Sequence, residues 1–388
     1  MIRLAPALVI WAGVAVAAPV RVAVLSTSPP RDARLARLVD GGREALARVD
    51  GLAGVDVAGL LDPASARPAV EARLQEARSA YENLEVEAAL AILDATAPAL
   101  VAAGAVSEAA RAYELVARIR LGLRDTEGAV AACRMWLRLE DPPTLDTAAA
   151  PPSLLEALAA AIEPPVPAAL RVEATVPALV RIDGRRAGIT PVTAEVAAGL
   201  HVVSVEADGF QRGVYVVRPR ADLGVAVLAR LRPAERGQLL DEVYGRLDGQ
   251  LDADAVGPGL RDLRALVAAE QAVLVEAGAG VVRAALFDLQ AGRRVRIVEL
   301  PEGDAGAAAQ GGELVRLLYS GLDPQAPGLA APEIEVSDPR PYHHRWWFWP
   351  AVAAASIAAV AIPVALLSED EAAGLTRRPG TGAVIIRF

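Results

Sequence analysis

Residues 170–219 constrain the fold most, because strand-like runs alternate there with turn pairs at short intervals. Leu179-Val180-Arg181-Ile182 leads into Asp183-Gly184, a pair that readily supplies positive φ for a tight hairpin. Gly188-Ile189-Thr190-Pro191 ends the next run, since proline cannot donate to a ladder. His201, Val203, Val205 and Ala207 alternate with Val202, Ser204 and Glu206, the period of a strand. An Asp208-Gly209 turn follows, and Phe210 is expected to fold back as a core plug. His201 is expected on the strand surface, because no second histidine or any cysteine lies near it to complete a ligand set.

These residues carry a resemblance. Val180-Arg181-Ile182-Asp183-Gly184, Gly188-Ile189-Thr190-Pro191, the run from Gly199 to Ala207 and Gly209-Phe210 together resemble a PEGA domain, a small β-module of bacterial envelope proteins. The literal Pro-Glu-Gly-Ala string is absent. The resemblance implies an all-β domain over 170–232, with Asp183, Gly184, Gly188, Pro191 and Gly209 at structural turns. It implies a scaffold or spacer role and no chemistry.

Catalytic signals are missing elsewhere. Of three histidines, His343 and His344 adjoin an apolar segment and His201 stands alone, which removes most triads and zinc sites. No phosphate-loop, nucleophile-elbow or dinucleotide motif occurs, and Gly278-Ala279-Gly280 reads as a turn between strands. Cys133 is the sole cysteine, so no intrachain disulfide forms, and its place on an apolar helix face suits a buried small hydrophobe. The chain is therefore expected to be no enzyme, with no catalytic, metal or cofactor residues. Every basic residue is arginine, yet the net charge is −9 and no basic patch interleaves with aromatics, which disfavours nucleic acid.

Two segments point to export and a membrane. Arg3, the apolar run 4–16 and Ala15-Val16-Ala17 form a secretory leader over 1–17, cleaved after Ala17, with an uncleaved anchor as the alternative. Residues 346–367 carry no charge and would span ~33 Å as a helix. Tyr342, Trp346, Trp347 and Trp349 make an interfacial belt at its start. The expected topology is a single pass, with the body in the periplasm and the tail 368–388 inside. Ala351, Ala355 and Ala359 offer a small-residue stripe for a homo-oligomer contact.

The whole reads as a multidomain α+β chain. An α/β segment over 18–62 has strands at 20–25 and 55–57 around a helix at 32–49. Residues 65–163 form helical hairpins. Leu74, Ala77, Tyr81 and Leu84, then Ala109, Ala112, Tyr113, Val116 and Ile119, then Ala129, Ala132, Met135 and Trp136 fall at helical spacings, with breaks at Asn83, Gly104 and Asp125. Ala77 to Tyr81 with Ala88-Ala89-Leu90, and Gly128-Ala129-Val130 with Trp136-Leu137, make this region similar to tetratricopeptide repeats, although no full consensus copy is present; a plain bundle stays open. A Pro-rich linker over 164–169 precedes the PEGA-like module, whose last strand is placed at 224–231. A second α/β segment over 234–322 has helices at 234–251, 259–268 and 308–320 and strands at 271–276, 281–288 and 293–300. Whether it and 18–62 are halves of one fold stays open. A linker over 323–345 leads to the apolar helix.

The function expected is a scaffold or assembly factor binding other envelope proteins; the alternative is a periplasmic sensory or regulatory subunit coupled through its membrane helix. Arg78, Arg111 and Arg118 are the candidates to face a partner, because arginine clamps a carboxylate bidentately. Trp136 and Tyr113 are assigned to the core, and Tyr81 to core or groove.

Overall fold

The computed structural model describes residues 18–61, 67–140, 150–162, 166–278, 280–303, 306–324 and the backbone of 384–386. The leader, residue 325 onward in the linker and the apolar segment 346–367 lie outside the described residues. Among the described residues no helix is long and apolar enough to cross a membrane.

The two α/β segments share one sheet. β1 (Val20–Ser26) runs between β2 (Leu52–Gly54) and β10 (Gln271–Ala277), parallel to both. β11 (Val281–Asp288) and β12 (Arg293–Pro301) extend it antiparallel, giving the order β12-β11-β10-β1-β2. β1 is covered on both sides from Val22 onward, so Val22-Ala23-Val24-Leu25 is an unbroken apolar run rather than an alternating one. Val22 and Val24 pack on one face against α1 (Ala33–Leu46) and α10 (Ala307–Tyr319). Ala23 and Leu25 pack on the other against α2 (Val57–Leu61), α8 (Gly237–Gly245) and α9 (Pro258–Val267). α1 starts where Asp32 accepts from the Leu35 N–H at 2.7 Å, an N-cap. It meets α10 backbone to backbone, since a Cβ on Gly41 would fall 1.9 Å from Ala308 O and one on Gly311 1.9 Å from Leu38 O.

Two elements here differ from expectation. The second strand ends at Gly54, because the Asp56 carboxylate accepts from Gly59 N at 3.0 Å and opens α2 where a strand over 55–57 was expected. The helix expected over 234–251 is cut to α8, and Gly249 turns left-handed at φ 67° into a short 3-10 turn.

Between these halves lie the helical layer and the β-module. α3 (Arg67–Glu82), α4 (Val86–Ala102), α5 (Val106–Gly122), α6 (Thr126–Leu139) and α7 (Pro152–Ala161) stack as successive hairpins around Leu74, Leu93, Leu100, Tyr113, Trp136 and Leu154. Leu84, Gly104 and Arg124 close the first three helices in left-handed conformation at twenty-residue intervals. Each closure makes the same pair of bonds, such as Glu85 N to Ala80 O and Leu84 N to Tyr81 O, so the orphan carbonyls of each helix end are met by backbone.

The β-module is a sandwich. One sheet is β5-β4-β7-β8, from β4 (Leu179–Ile182), β5 (Arg185–Ile189), β7 (His201–Glu206) and β8 (Gly213–Val217). The other joins β3 (Pro167–Ala174), β6 (Val192–Ala197), β9 (Val225–Ala229) and, parallel to β9, β13 (Val384–Ile386) in the order β13-β9-β3-β6. β3 starts at Pro167, so the expected linker is shorter than 164–169; proline is tolerated as a first strand residue. Asp183 and Gly184 take φ of 51° and 77°, Gly188 138° and Gly209 84°, while Pro191 sits between β5 and β6. Phe210 is only half-buried and bridges to Pro233, so it is no core plug.

β7 is buried almost along its length, because each face has a cover. Val203 and Val205 fill the sandwich, and Val202 enters the helical core. His201, expected at the surface, is 3% exposed for this reason. The β13 pairing also has a topological consequence. It brings residues 384–386 back to the sandwich from beyond the α/β segment that follows β9.

Candidate functional site

The three arginines singled out from sequence converge. Arg78 comes from α3, and Arg111 and Arg118 come from α5, the leading helices of two successive hairpins. They line one groove of about 310 Å³ with Tyr81, Glu82, Glu114 and Leu115. Helical spacing explains the convergence. Arg78, Tyr81 and Glu82 stand at i, i+3 and i+4 on α3; Arg111, Glu114, Leu115 and Arg118 stand at i, i+3, i+4 and i+7 on α5.

Charge within the groove is unevenly used. Arg118 donates to Glu114 Oε1 through Nε at 3.0 Å and Nη2 at 2.7 Å. No described carboxylate lies within ion-pair distance of Arg78 or Arg111. Tyr81 is 37% exposed and lines the same space. Tyr113 and Trp136 are buried below it in the helical core. The groove can therefore offer two free guanidinium groups and one aromatic surface to a segment carrying carboxylates. Tyr81, left between core and groove from sequence, lines the groove; Glu82, Glu114 and Leu115 were not picked, though their positions relative to Arg78 and Arg111 on the helix repeat carry the signal.

The second polar cluster is structural. At the hairpin turn, Asp183 Oδ1 accepts from Val202 N at 2.9 Å and Oδ2 lies 2.7 Å from His201 Nδ1. His201 Nε2 lies 2.6 Å from Ala197 O. Arg138, at the end of α6, donates to Leu200 O at 2.5 Å and reaches Asp183 Oδ2 at 3.4 Å. The cluster ties the helical layer to the sandwich, and no hydroxyl or thiol is bonded to the imidazole. Cys133 is buried, and burial pushes its thiol up to about 11, so it stays protonated at neutral pH. Among the described residues no group of three or more His, Cys, Asp or Glu could hold a metal ion.

The sandwich geometry can be set beside known families. Residues 169–235 match the PEGA domain. No curated protein and no solved structure matches the chain. The PEGA match takes in the sandwich strands from β3, less its first two residues, to β9, and runs three residues past the expected end, to include Pro233, which bridges Phe210. Gly184, Gly188 and Gly209, placed at turns from sequence, hold positive φ in the PEGA module. The groove arginines lie outside it.

Proposed function

We propose that this chain is a non-enzymatic, membrane-anchored envelope protein that holds or assembles other envelope proteins. One observation carries the reading: Arg78 and Arg111 face a common groove beside an exposed Tyr81, and among the described residues neither is paired with a carboxylate. The partner is a segment rich in carboxylates, laid across α3 and α5. We read the helical layer as similar to tetratricopeptide repeats, with α3 and α5 as first helices lining the concave face. Its hairpins repeat every forty residues rather than about thirty-four, which accounts for the missing consensus. The PEGA module acts as a rigid spacer, and residues 346–367 hold the body at a membrane.

The test changes Arg78, Arg111 and Arg118 to Glu and repeats a crosslinking pull-down from membranes. Loss of a partner at unchanged helical circular dichroism is the expected result. An unchanged partner set removes the groove from the proposal. Anchoring has its own test. Deletion of 346–367 releases the chain into the soluble fraction; continued sedimentation with membranes places the anchor elsewhere. Sidedness follows from a Gly382→Cys label, as Cys133 is buried and silent to maleimide. Labelling from the side of the body agrees with the β13–β9 pairing, whereas labelling only from the other side means a single crossing.

A further inference from the structure

The sandwich meets its two neighbours by different means. Val202 and half-buried Leu200 enter the helical core, so that contact has an apolar centre beside the Arg138 cluster. No apolar cluster joins residues 166–231 to the α/β domain. There the contact is made of ion pairs around a cavity of about 600 Å³, within the range of small-molecule sites. Its walls carry opposite excess charge. α1 and the β2–α2 turn present Asp40, Glu44 and Asp56 with one cation, Arg43, while the sandwich presents Arg181, Arg186 and Arg212 with two anions, Glu206 and Asp208.

Arg186 closes the space by pairing with Asp40 and Glu44 together. Arg43 and Asp208, 2.6 Å apart, fix another point of contact, beside backbone bonds from Ala234 N and Gln211 N that tie residues 209–211 to 232–234. Among the described residues Arg181 has no hydrogen bond, and its one ion pair, to Glu206, is long at 4.0 Å. The buried Nε of Arg212 lies 2.9 Å from the same carboxylate without the alignment of a hydrogen bond. Burial raises the pKa of Asp40 despite Arg186, so this carboxylate is under-compensated in the closed arrangement.

We propose that this cleft binds a small zwitterion of the amino-acid or short-peptide class, with its ammonium on Asp40 and Glu44 and its carboxylate on Arg181 and Arg186. The argument is charge balance. A zwitterion entering at the Arg186 contact replaces one set of ion pairs by two and leaves no partner bare. A lone cation would take Asp40 from Arg186, and a lone anion would take Arg186 from Asp40, while exposed Glu44 keeps Arg48; either leaves a buried or half-buried charge short of a partner. The apolar part of the lining, with Val39, Leu179 and Ile189, suits an aliphatic side chain.

Calorimetric titration of the full chain in detergent tests this with three probes. They are alanylvaline, its N-acetyl form lacking the ammonium, and its C-terminal amide lacking the carboxylate. The free dipeptide is expected to saturate the protein, and each capped form to bind at least about ten-fold more weakly, about 1.4 kcal/mol. Arg181→Ala should weaken the dipeptide by a similar factor with unchanged melting, since Arg181 has no hydrogen bond to lose. No saturation at millimolar dipeptide, equal binding of the capped forms, or an unaffected Arg181→Ala variant would overturn the proposal. So would a loss confined to Arg111→Ala, which would move the binding to the helical groove.

Discussion

Asp183 and Gly184 illustrate how much one dihedral decides. Both central residues of the hairpin have positive φ, which Gly184 adopts freely and a β-branched residue does not. Space is not the obstacle at Gly184, since a Cβ there would meet Val101 only at 3.7 Å. Gly184→Val is expected to cost about 1–3 kcal/mol through backbone strain alone, read as a lower denaturant midpoint at unchanged slope. Asp125 makes the second residue-scale case. Its carboxylate caps α6 by accepting from Gly128 N at 2.8 Å, and that bond, with Arg120, lowers its pKa below 3.8. Asp125→Ala should cost about 1 kcal/mol at neutral pH. A depressed carboxylate stabilises above its unfolded pKa and loses that contribution as pH falls through the folded one. The difference between wild type and variant should therefore shrink below pH 3.8, and a constant difference would place the effect outside the carboxylate. The Asp-Gly turn was legible because its signal is local. His201 was not, because its partners are Asp183 across the sheet and Arg138 on another element, and no pattern around it announces either.

Elements repeat this contrast. The breaks at Asn83, Gly104 and Asp125 were visible as interruptions of helical spacing, and each falls within one residue of a left-handed closure. The identity of the repeat was harder to read, because two of the three closures use Leu84 and Arg124 where glycine would be expected. Leu84 is 84% exposed, so it buys no packing for its strained conformation. Leu84→Gly should then raise stability by up to about 1 kcal/mol, and a fall in melting temperature would show that the side chain has an unrecognised role. Strands β10, β11 and β12 were placed within a residue or so, since their apolar runs are bounded by turns. β2 and α8 were misjudged because a side-chain cap at Asp56 and a left-handed Gly249 overrode hydrophobic period. The groove was legible as three arginines but not as a pair of helices, because sequence spacing shows one helix face at a time.

At the scale of the molecule, the α/β domain is discontinuous. β1 supplies Val22, Ala23, Val24 and Leu25 to both layers and is hydrogen-bonded to β10. A fragment of residues 234–324 is therefore expected to be unfolded alone and to gain structure when 18–61 is added in trans. A cooperative melt of the fragment by itself would show that β1 is dispensable. The same discontinuity sets an order in time. As the chain leaves the ribosome, β1 emerges long before β10, and the helical layer and sandwich can finish folding while it waits. An apolar strand held unpaired through that interval is a template for association with other chains. Biogenesis of this protein is thus expected to depend on a chaperone that shields Val20–Ser26 until synthesis passes Asp288, and depleting such a chaperone should aggregate the full chain while sparing one that lacks 18–61 and 234–324.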